Sequence, residues 1–323
     1  MTDILKQTEQ QLAQLRQQLS QGQLYHGLPQ KVGQIIDQLV YQKTTLVAIP
    51  KDNQTALAKI KALRTQVQQK NLATISDAEL DFLLAHLGSL DPLVRDKGVY
   101  FLFNDILQAH ILTAKQVRYL AEQLISPQML YSHILEKKNH ALFLRAFSVI
   151  ILAGVLYVDR TYYHVLTLKD IENIVLKLAT YLALEADGRG YIAHHGWAHA
   201  YSHIGNALDE LTANPQLNRA NKIFYLTVLL VRYQRLQTPL IFGEDHRLAL
   251  TIVNLTNKND LYTNYVLFLL QDWQARLLRM QPQESEGFWN SWYNRNRLLQ
   301  ALLIRGDLPN KIRHFLLQVV AFF

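Results

Sequence analysis

Histidine is the residue type whose spacing in this sequence most favours chemistry. His195, His199 and His203 follow one another at intervals of four, inside the stretch 187–211. Neutral imidazoles at positions i and i+4 of a helix can converge on one metal ion, and a single imidazole can act as a general base. Ala200 follows His199, so the HExxH pattern of a zinc protease, with its glutamate base, is missing. We therefore predict no metal site and leave the catalytic residues unassigned.

The element that must position these histidines is a predicted helix from Gly196 to Leu211, which follows a glycine-rich loop. The arc opposite the apolar residues of this helix carries short polar residues, among them His199, His203 and Asn206. A helix face in contact with solvent usually carries Lys, Glu, Gln and Arg instead. We predict that the polar arc faces a ligand or cleft, with plain exposure to solvent as the alternative. The apolar arc, predicted to be core, comprises Trp197, Ala200, Tyr201, Ile204, Ala207, Leu208 and Leu211.

Asp187 and Arg189 lie in the loop before this helix, each next to a glycine. One interpretation is functional: the backbone and the guanidinium receive an anion near a helix N-terminus, where exposed amides favour negative charge. The other is structural: the two side chains pair and fix the loop. The sequence leaves both interpretations open.

Glu244 and Arg247 stand at the start of a later predicted helix. An acidic residue is favoured there by the helix dipole, and this alone accounts for Glu244. If the helices stack as repeats, this start would lie near the start of the central helix. Glu244 and Arg247 would then complete a polar rim around the histidines.

Aromatic residues crowd a late helix, where Trp289, Trp292 and Tyr293 are spaced at i, i+3 and i+4. This spacing is typical of a core stripe. It also suits an aromatic wall for a ligand or partner. Spacing does not separate the two.

Composition excludes several classes of protein. The chain has 323 residues, 49% of them hydrophobic, and no cysteine, which excludes disulfide scaffolds and thiolate zinc sites and fits a cytoplasmic location. The N-terminus lacks a signal-peptide pattern, and the apolar run 146–158 is too short for a membrane span. The net charge is +7, but no nucleic-acid-binding motif accompanies it. We expect no membrane partner, and no cofactor can be named.

Helical periodicity dominates the chain, and no convincing alternating strand is found. Ser76, Thr113 and Thr167 are predicted to cap helices, and Pro92 to open one. We predict an all-α fold of antiparallel helix pairs, either a HEAT- or armadillo-like α-solenoid or a helical array. Residues 1–71 would form amphipathic helices packed on a helical-repeat domain, 72–323.

Several motifs in this order resemble a bacterial family of unknown function, DUF2785, over residues 76–304. They are Asp91-Pro92 with Arg95-Asp96, Arg145-Ala-Phe-Ser148, Asp187-Gly-Arg-Gly-Tyr191 with Gly196-Trp-Ala-His-Ala-Tyr-Ser-His203, and Gly243-Glu-Asp-His-Arg247. The sequence departs from the family pattern at Ile204-Gly205-Asn206, where small and acidic residues are more usual. The resemblance implies a helical-repeat fold in a bacterial cytoplasm and brings no established activity.

Two functions fit these observations. The first is a binding module whose concave polar groove, centred on the Gly-Trp-Ala-His helix, receives a protein, a peptide or a small anionic ligand. The second is a hydrolase, possibly metal-assisted, with His199 or His203 as general base and Asp187 or Asp209 orienting it. We favour the first, because the sequence has no cysteine and no Gly-x-Ser-x-Gly nucleophile motif.

Overall fold

The computed structural model describes residues 3–319. This part of the chain is mostly helical, and its only sheet is one two-stranded hairpin, which confirms the all-α prediction. The helices are α1 (Asp3–Ser20), α2 (Leu28–Asp37), α3 (Asn53–Gln68), α4 (Asp77–His86), α5 (Pro92–Val94), α6 (Phe101–Gln108), α7 (Ala114–Leu124), α8 (Pro127–Leu130), α9 (Leu142–Val158), α10 (Leu168–Leu184), α11 (Ala200–Ala213), α12 (Arg219–Tyr233), α13 (Glu244–Thr256), α14 (Asp260–Leu277), α15 (Glu286–Ile304) and α16 (Asn310–Val319).

The predicted caps set several helix starts. Ser76, Thr113 and Thr167 each accept a hydrogen bond from a backbone N–H of the first turn and form complete capping boxes. Asp91 caps α5, with Pro92 at its first position. The side chains therefore satisfy backbone donors that would otherwise lack partners at helix ends.

Two rows of helices build most of the molecule. In one row, α9, α11, α13 and α15 pack side by side in that order, and in the other α10, α12, α14 and α16 do the same. The N-terminal helices α1 and α2 pack against α10 and α12, whereas α3 packs against α5 and α6. The apolar side chains of all these helices form one buried cluster. The boundary at residue 71 stays a prediction.

The helix that contains the apolar run continues beyond it. A π-helical segment, Asp159–Tyr163, extends α9 without a break. From Leu142 to Tyr163 the helix has 22 residues, and an 18-residue window with mean hydropathy 2.0 is 78% buried within the protein. The helix is thus long and apolar enough to cross a membrane, contrary to the prediction from the apolar run. A buried core helix passes the same test.

The region before α11 differs from prediction in three ways. Tyr191–Ile192 pairs antiparallel with Gly196–Trp197 as strands β1 and β2, although no strand was predicted. Helix α11 begins at Ala200 and not at Gly196. Trp197, predicted to be buried, is 42% exposed. The strands were missed because two-residue strands show no alternation. The helix start and the burial of Trp197 were wrong because Gly196, with φ +80°, turns the chain where a helix was expected.

Arg95 holds this hairpin in place. Its fully buried guanidinium donates to the carbonyl oxygen of His195 at 2.6 Å and to that of Ser89 at 2.6 Å. It also lies over the ring of Phe143, 3.9 Å from the centroid, which adds a cation–π contact. The hairpin is thereby tied to α9 and to the turn before α5.

Candidate functional site

His199 is the best-defined of the predicted site residues. It precedes α11 with a positive φ of 50°, and its Nδ1 lies 3.1 Å from Oε1 of the buried Glu244. Trp197 stacks on the imidazole with ring centroids 4.4 Å apart. The second oxygen of Glu244 accepts the backbone N–H of Phe242. The ring of His199 is therefore held on one face and at one nitrogen.

A glycine makes this arrangement possible. A Cβ at Gly190 would lie 2.4 Å from Oε1 of Glu244 and 2.7 Å from the ring of Phe242. The hairpin and the start of α13 can approach each other only because position 190 has no side chain.

His203 plays a different part. Its Nδ1 lies 2.9 Å from the carbonyl oxygen of Ala146 on α9, and its ring contacts Phe147 edge to face. Burial of the imidazole lowers the pKa of His203 to about 4, so the ring is neutral at pH 7 and Nδ1 donates. The ring centroids of His199 and His203 are 6.5 Å apart. The two histidines are neighbours with different contacts. His203 joins α11 to α9, whereas His199 contacts Glu244 at the start of α13.

Asp187 and Arg189 bind each other. The guanidinium reaches both oxygens of the fully buried Asp187 carboxylate, with Nε 2.8 and 3.0 Å away, and also donates to the carbonyl oxygen of Asn139. This geometry matches the structural interpretation, in which the pair fixes the loop.

Asn206 and Arg247 connect two helices of one row. Arg247 on α13 donates to Oδ1 of Asn206 at 2.6 Å and to Asp209 at 2.6 Å, both on α11. His195 lies apart from this contact, with its ring against His140. The eight predicted site residues thus share one neighbourhood, where most bind one another. Within residues 3–319, no three His, Asp or Glu side chains are grouped to hold a metal ion.

A buried ion pair that the sequence analysis missed lies beneath this region. Arg145 on α9 donates to both oxygens of Glu185 at 2.7 and 3.0 Å, and both residues are fully buried. The backbone oxygen of Glu185 accepts bonds from Tyr201 on α11 and Arg232 on α12. An arginine directly before the apolar run was the available signal, since a buried charge requires a partner.

A large cavity lies elsewhere in the described part of the chain. Its volume is about 910 Å³, and it opens between the end of α2, the ends of α12 and α14 and the start of α15. None of the eight predicted site residues lines it. The charged residues that do are Asp37, Lys137, Lys138, Arg232, Arg235, Arg276, Glu286 and Arg295.

Positive charge dominates this basic cavity, with six cationic side chains and two carboxylates. Asp37 is already paired with Arg235, at 2.7 Å. Arg232 is held by neutral oxygens, the Tyr41 hydroxyl and the Glu185 carbonyl. Arg295 is almost fully buried, and this burial lowers its pKa to about 10, which still leaves the guanidinium charged at pH 7. The cavity can stabilise negative charge.

Aromatic side chains form another part of the lining, which includes Trp273, Phe288 and Trp292. Trp289 and Tyr293 are exposed, and Trp292 is only partly buried, so the core-stripe interpretation of this helix was wrong. The spacing-based alternative, an aromatic wall, describes Phe288 and Trp292 better.

Comparison with known proteins places the chain in a family. The model of a protein family of unknown function, DUF2785, matches residues 130–304, more than half of the sequence. The chain belongs to the DUF2785 family. This confirms the resemblance, although the match begins after the motif at 91–96, which the resemblance included. No curated protein and no solved structure matches.

Most of the lining of the basic cavity in this DUF2785 protein comes from the matched residues, and a smaller part does not. The walls from α12, α14 and α15, and the lysines at 137 and 138, lie inside the matched range. The remaining wall, Ile36 to Tyr41, lies outside it, in the N-terminal part of the chain. No sequence motif joins these segments, which is why sequence reasoning did not find the cavity.

Proposed function

We propose that the protein is a non-catalytic binding protein that takes a small anionic ligand in its basic cavity. The single observation that carries this proposal is the lining: six cationic side chains face one concave space with only two carboxylates. Low-dielectric walls focus such a field and raise the local concentration of anions. A ligand of ordinary size fits, since small-molecule pockets span about 300–1,000 Å³.

The scaffold we propose is a HEAT- or armadillo-like solenoid. The side-by-side order of α9, α11, α13 and α15, matched by α10, α12 and α14, supports it. Helical stacks of this kind commonly bind through a surface that several repeats share. The cavity replaces the surface around His199 as the proposed site, because there the polar groups largely bind one another.

The test is isothermal titration calorimetry with inorganic tripolyphosphate, using wild type and Arg276→Gln. Loss of one charge-assisted bond is expected to weaken binding about tenfold, which corresponds to 1.4 kcal/mol. Arg118→Gln is the matched control, because Arg118 is similarly exposed (38% against 35%) and also pairs with an aspartate, but lies outside the lining.

Salt provides a second measurement. The affinity of wild type for tripolyphosphate should fall as ionic strength rises, because screening weakens exposed charge pairs. No heat of binding at low salt, or equal binding by wild type and Arg276→Gln, would refute the proposal.

A second candidate, a hydrolase, is favoured by the hydrogen bond between His199 and Glu244. A buried carboxylate that fixes one imidazole nitrogen leaves the other free to act as a base. The orienting residue would be Glu244, because Asp187 is bound to Arg189 and Asp209 to Arg247. Turnover of p-nitrophenyl acetate or p-nitrophenyl phosphate that disappears in His199→Asn would support it. Identical rates in the two proteins would exclude it for these substrates.

A further inference from the structure

We infer that the anion bound in the basic cavity carries a planar aromatic ring, as a nucleoside polyphosphate does. The inference rests on the proposed function and names the class of its ligand. It follows from the separation of the lining into two chemically different walls, one made of guanidinium groups at helix ends and one of aromatic rings stacked with a guanidinium.

The first wall comes from the ends of α12 and α14. Arg232 and Arg235 project from the last turn of α12 and the residues that follow it, and Arg276 lies at the end of α14. Gln234 accepts a hydrogen bond from Arg276 at 2.6 Å, which joins the two helix ends. Guanidinium groups present several N–H donors in a fixed plane and suit the oxygens of phosphate or carboxylate groups.

Two lysines add mobile charge beside this wall. Lys137 and Lys138 are exposed residues of the segment before α9, and both line the cavity. A lysine acts as a point charge on a flexible stem, so it can follow an anionic group of variable length. Five cationic side chains with different reach suit a chain of linked anionic groups better than a single small anion.

The second wall is one face of α15. Phe288, Trp292 and Arg295 stand at i, i+4 and i+7, which places them in one row on the helix. The rings of Phe288 and Trp292 stack with centroids 6.1 Å apart and planes 30° apart. The Arg295 guanidinium lies 4.3 Å from the centre of the Trp292 ring. Three planar groups therefore form a continuous ladder along the cavity.

Such a ladder favours a planar ligand over an aliphatic one. Aromatic and guanidinium planes stack on any base, and stacking on an aromatic side chain contributes enough to change affinity by about tenfold or more. An inorganic polyphosphate would use the first wall and leave the ladder unused. A nucleoside would use the ladder and leave the cations unused. A ligand with both parts uses the whole cavity.

The test compares ATP, inorganic tripolyphosphate and adenosine by calorimetry on the full chain. ATP is expected to bind about tenfold or more tightly than tripolyphosphate, although tripolyphosphate carries at least as much charge, and adenosine weakly or not at all. Tryptophan fluorescence should be quenched by ATP and not by tripolyphosphate. Trp292→Leu is expected to reduce the affinity for ATP to that for tripolyphosphate, without changing the latter. Trp292→Phe should restore most of the difference.

Trp289→Leu is the matched control, because Trp289 lies on the same helix, is exposed and does not line the cavity. It should bind ATP as wild type does. Equal affinity of wild type for ATP and tripolyphosphate would overturn the inference and leave the proposed function standing. Failure of both to bind would overturn the proposed function and the inference with it.

Discussion

The hairpin region and the basic cavity are built in opposite ways. Within the hairpin region, polar side chains from one short stretch, 185–209, bind partners of the same neighbourhood, as Asp187 binds Arg189 and Asp209 binds Arg247. The cavity draws its lining from segments that span Ile36 to Arg295, and its cations outnumber its carboxylates. Polar residues that satisfy one another stabilise a fold, whereas an excess of one charge in a concave space calls for a ligand.

The densest sequence motif and the proposed binding site therefore lie in different parts of the molecule. The four histidines between 194 and 203 and the glycines around them form the densest motif in the chain. In the structure, their neighbourhood joins α9, α11 and α13 through His203 and Arg247. We expect this difference between the regions to be visible in stability and in pH dependence.

The largest expected effect is on the ion pair beneath the hairpin. Glu185→Gln leaves the fully buried guanidinium of Arg145 without its counter-charge and should reduce the free energy of unfolding by about 3–5 kcal/mol, as breaking a buried pair does. Urea denaturation measures it. Arg276→Gln, in the cavity, should cost less than about 1 kcal/mol, because its pair with Asp272 is one-third exposed. If Glu185→Gln and Arg276→Gln lose the same free energy of unfolding, the hairpin region and the cavity do not differ in this way.

A smaller effect concerns pH and His203. Because burial lowers the pKa of His203 from 6.5 to about 4, the unfolded chain binds more protons than the native chain between these values. Stability should therefore fall as pH drops through that window, with a contribution from His203 of about 3 kcal/mol near its lower end.

The measurement is the difference between wild type and His203→Gln in free energy of unfolding, taken at pH 7 and at pH 4.5. Glutamine can still donate to the carbonyl oxygen of Ala146 but does not titrate, so the variant should lose less stability on acidification than wild type. Parallel losses in both proteins would show that the imidazole is not desolvated in the native state.

Sequence reasoning succeeded where the signal was local. The helix caps at Ser76, Thr113 and Thr167 each depend on residues within one helical turn, and the sequence predicted all three correctly. Helical periodicity likewise identified the long helices, because an apolar face repeats over many residues. Even the family was evident from ordered motifs, and the family match confirms it.

Sequence reasoning failed where the deciding contact joins residues that are distant in the sequence. Nothing around Arg276 reveals that the end of α2 lies across the cavity from it, since the two are joined only in the folded chain. The mutual bonds of Asp187 and Arg189 were one of two open interpretations, because a loop pair and an anion site use the same residue types. The start of α11 was placed four residues too early for a more local reason, a glycine with positive φ.

The smallest expected effect tests the hairpin itself. Trp197 is 42% exposed and packs on His199, Tyr191 and Phe242 at the surface, so Trp197→Ala should reduce the free energy of unfolding by only about 0.5 to 1 kcal/mol. Trp273→Ala is the matched comparison, because Trp273 is only 6% exposed and a large-to-small change in a core costs about 3–5 kcal/mol. Trp197→Ala should also leave Arg95 bound to the hairpin, since Arg95 contacts backbone oxygens there and not the indole. Urea denaturation of both variants decides the matter. If Trp197→Ala costs as much as Trp273→Ala, the indole is a core residue, the helix begins where the sequence predicts it, and the contrast between the hairpin and the cavity has to be drawn elsewhere.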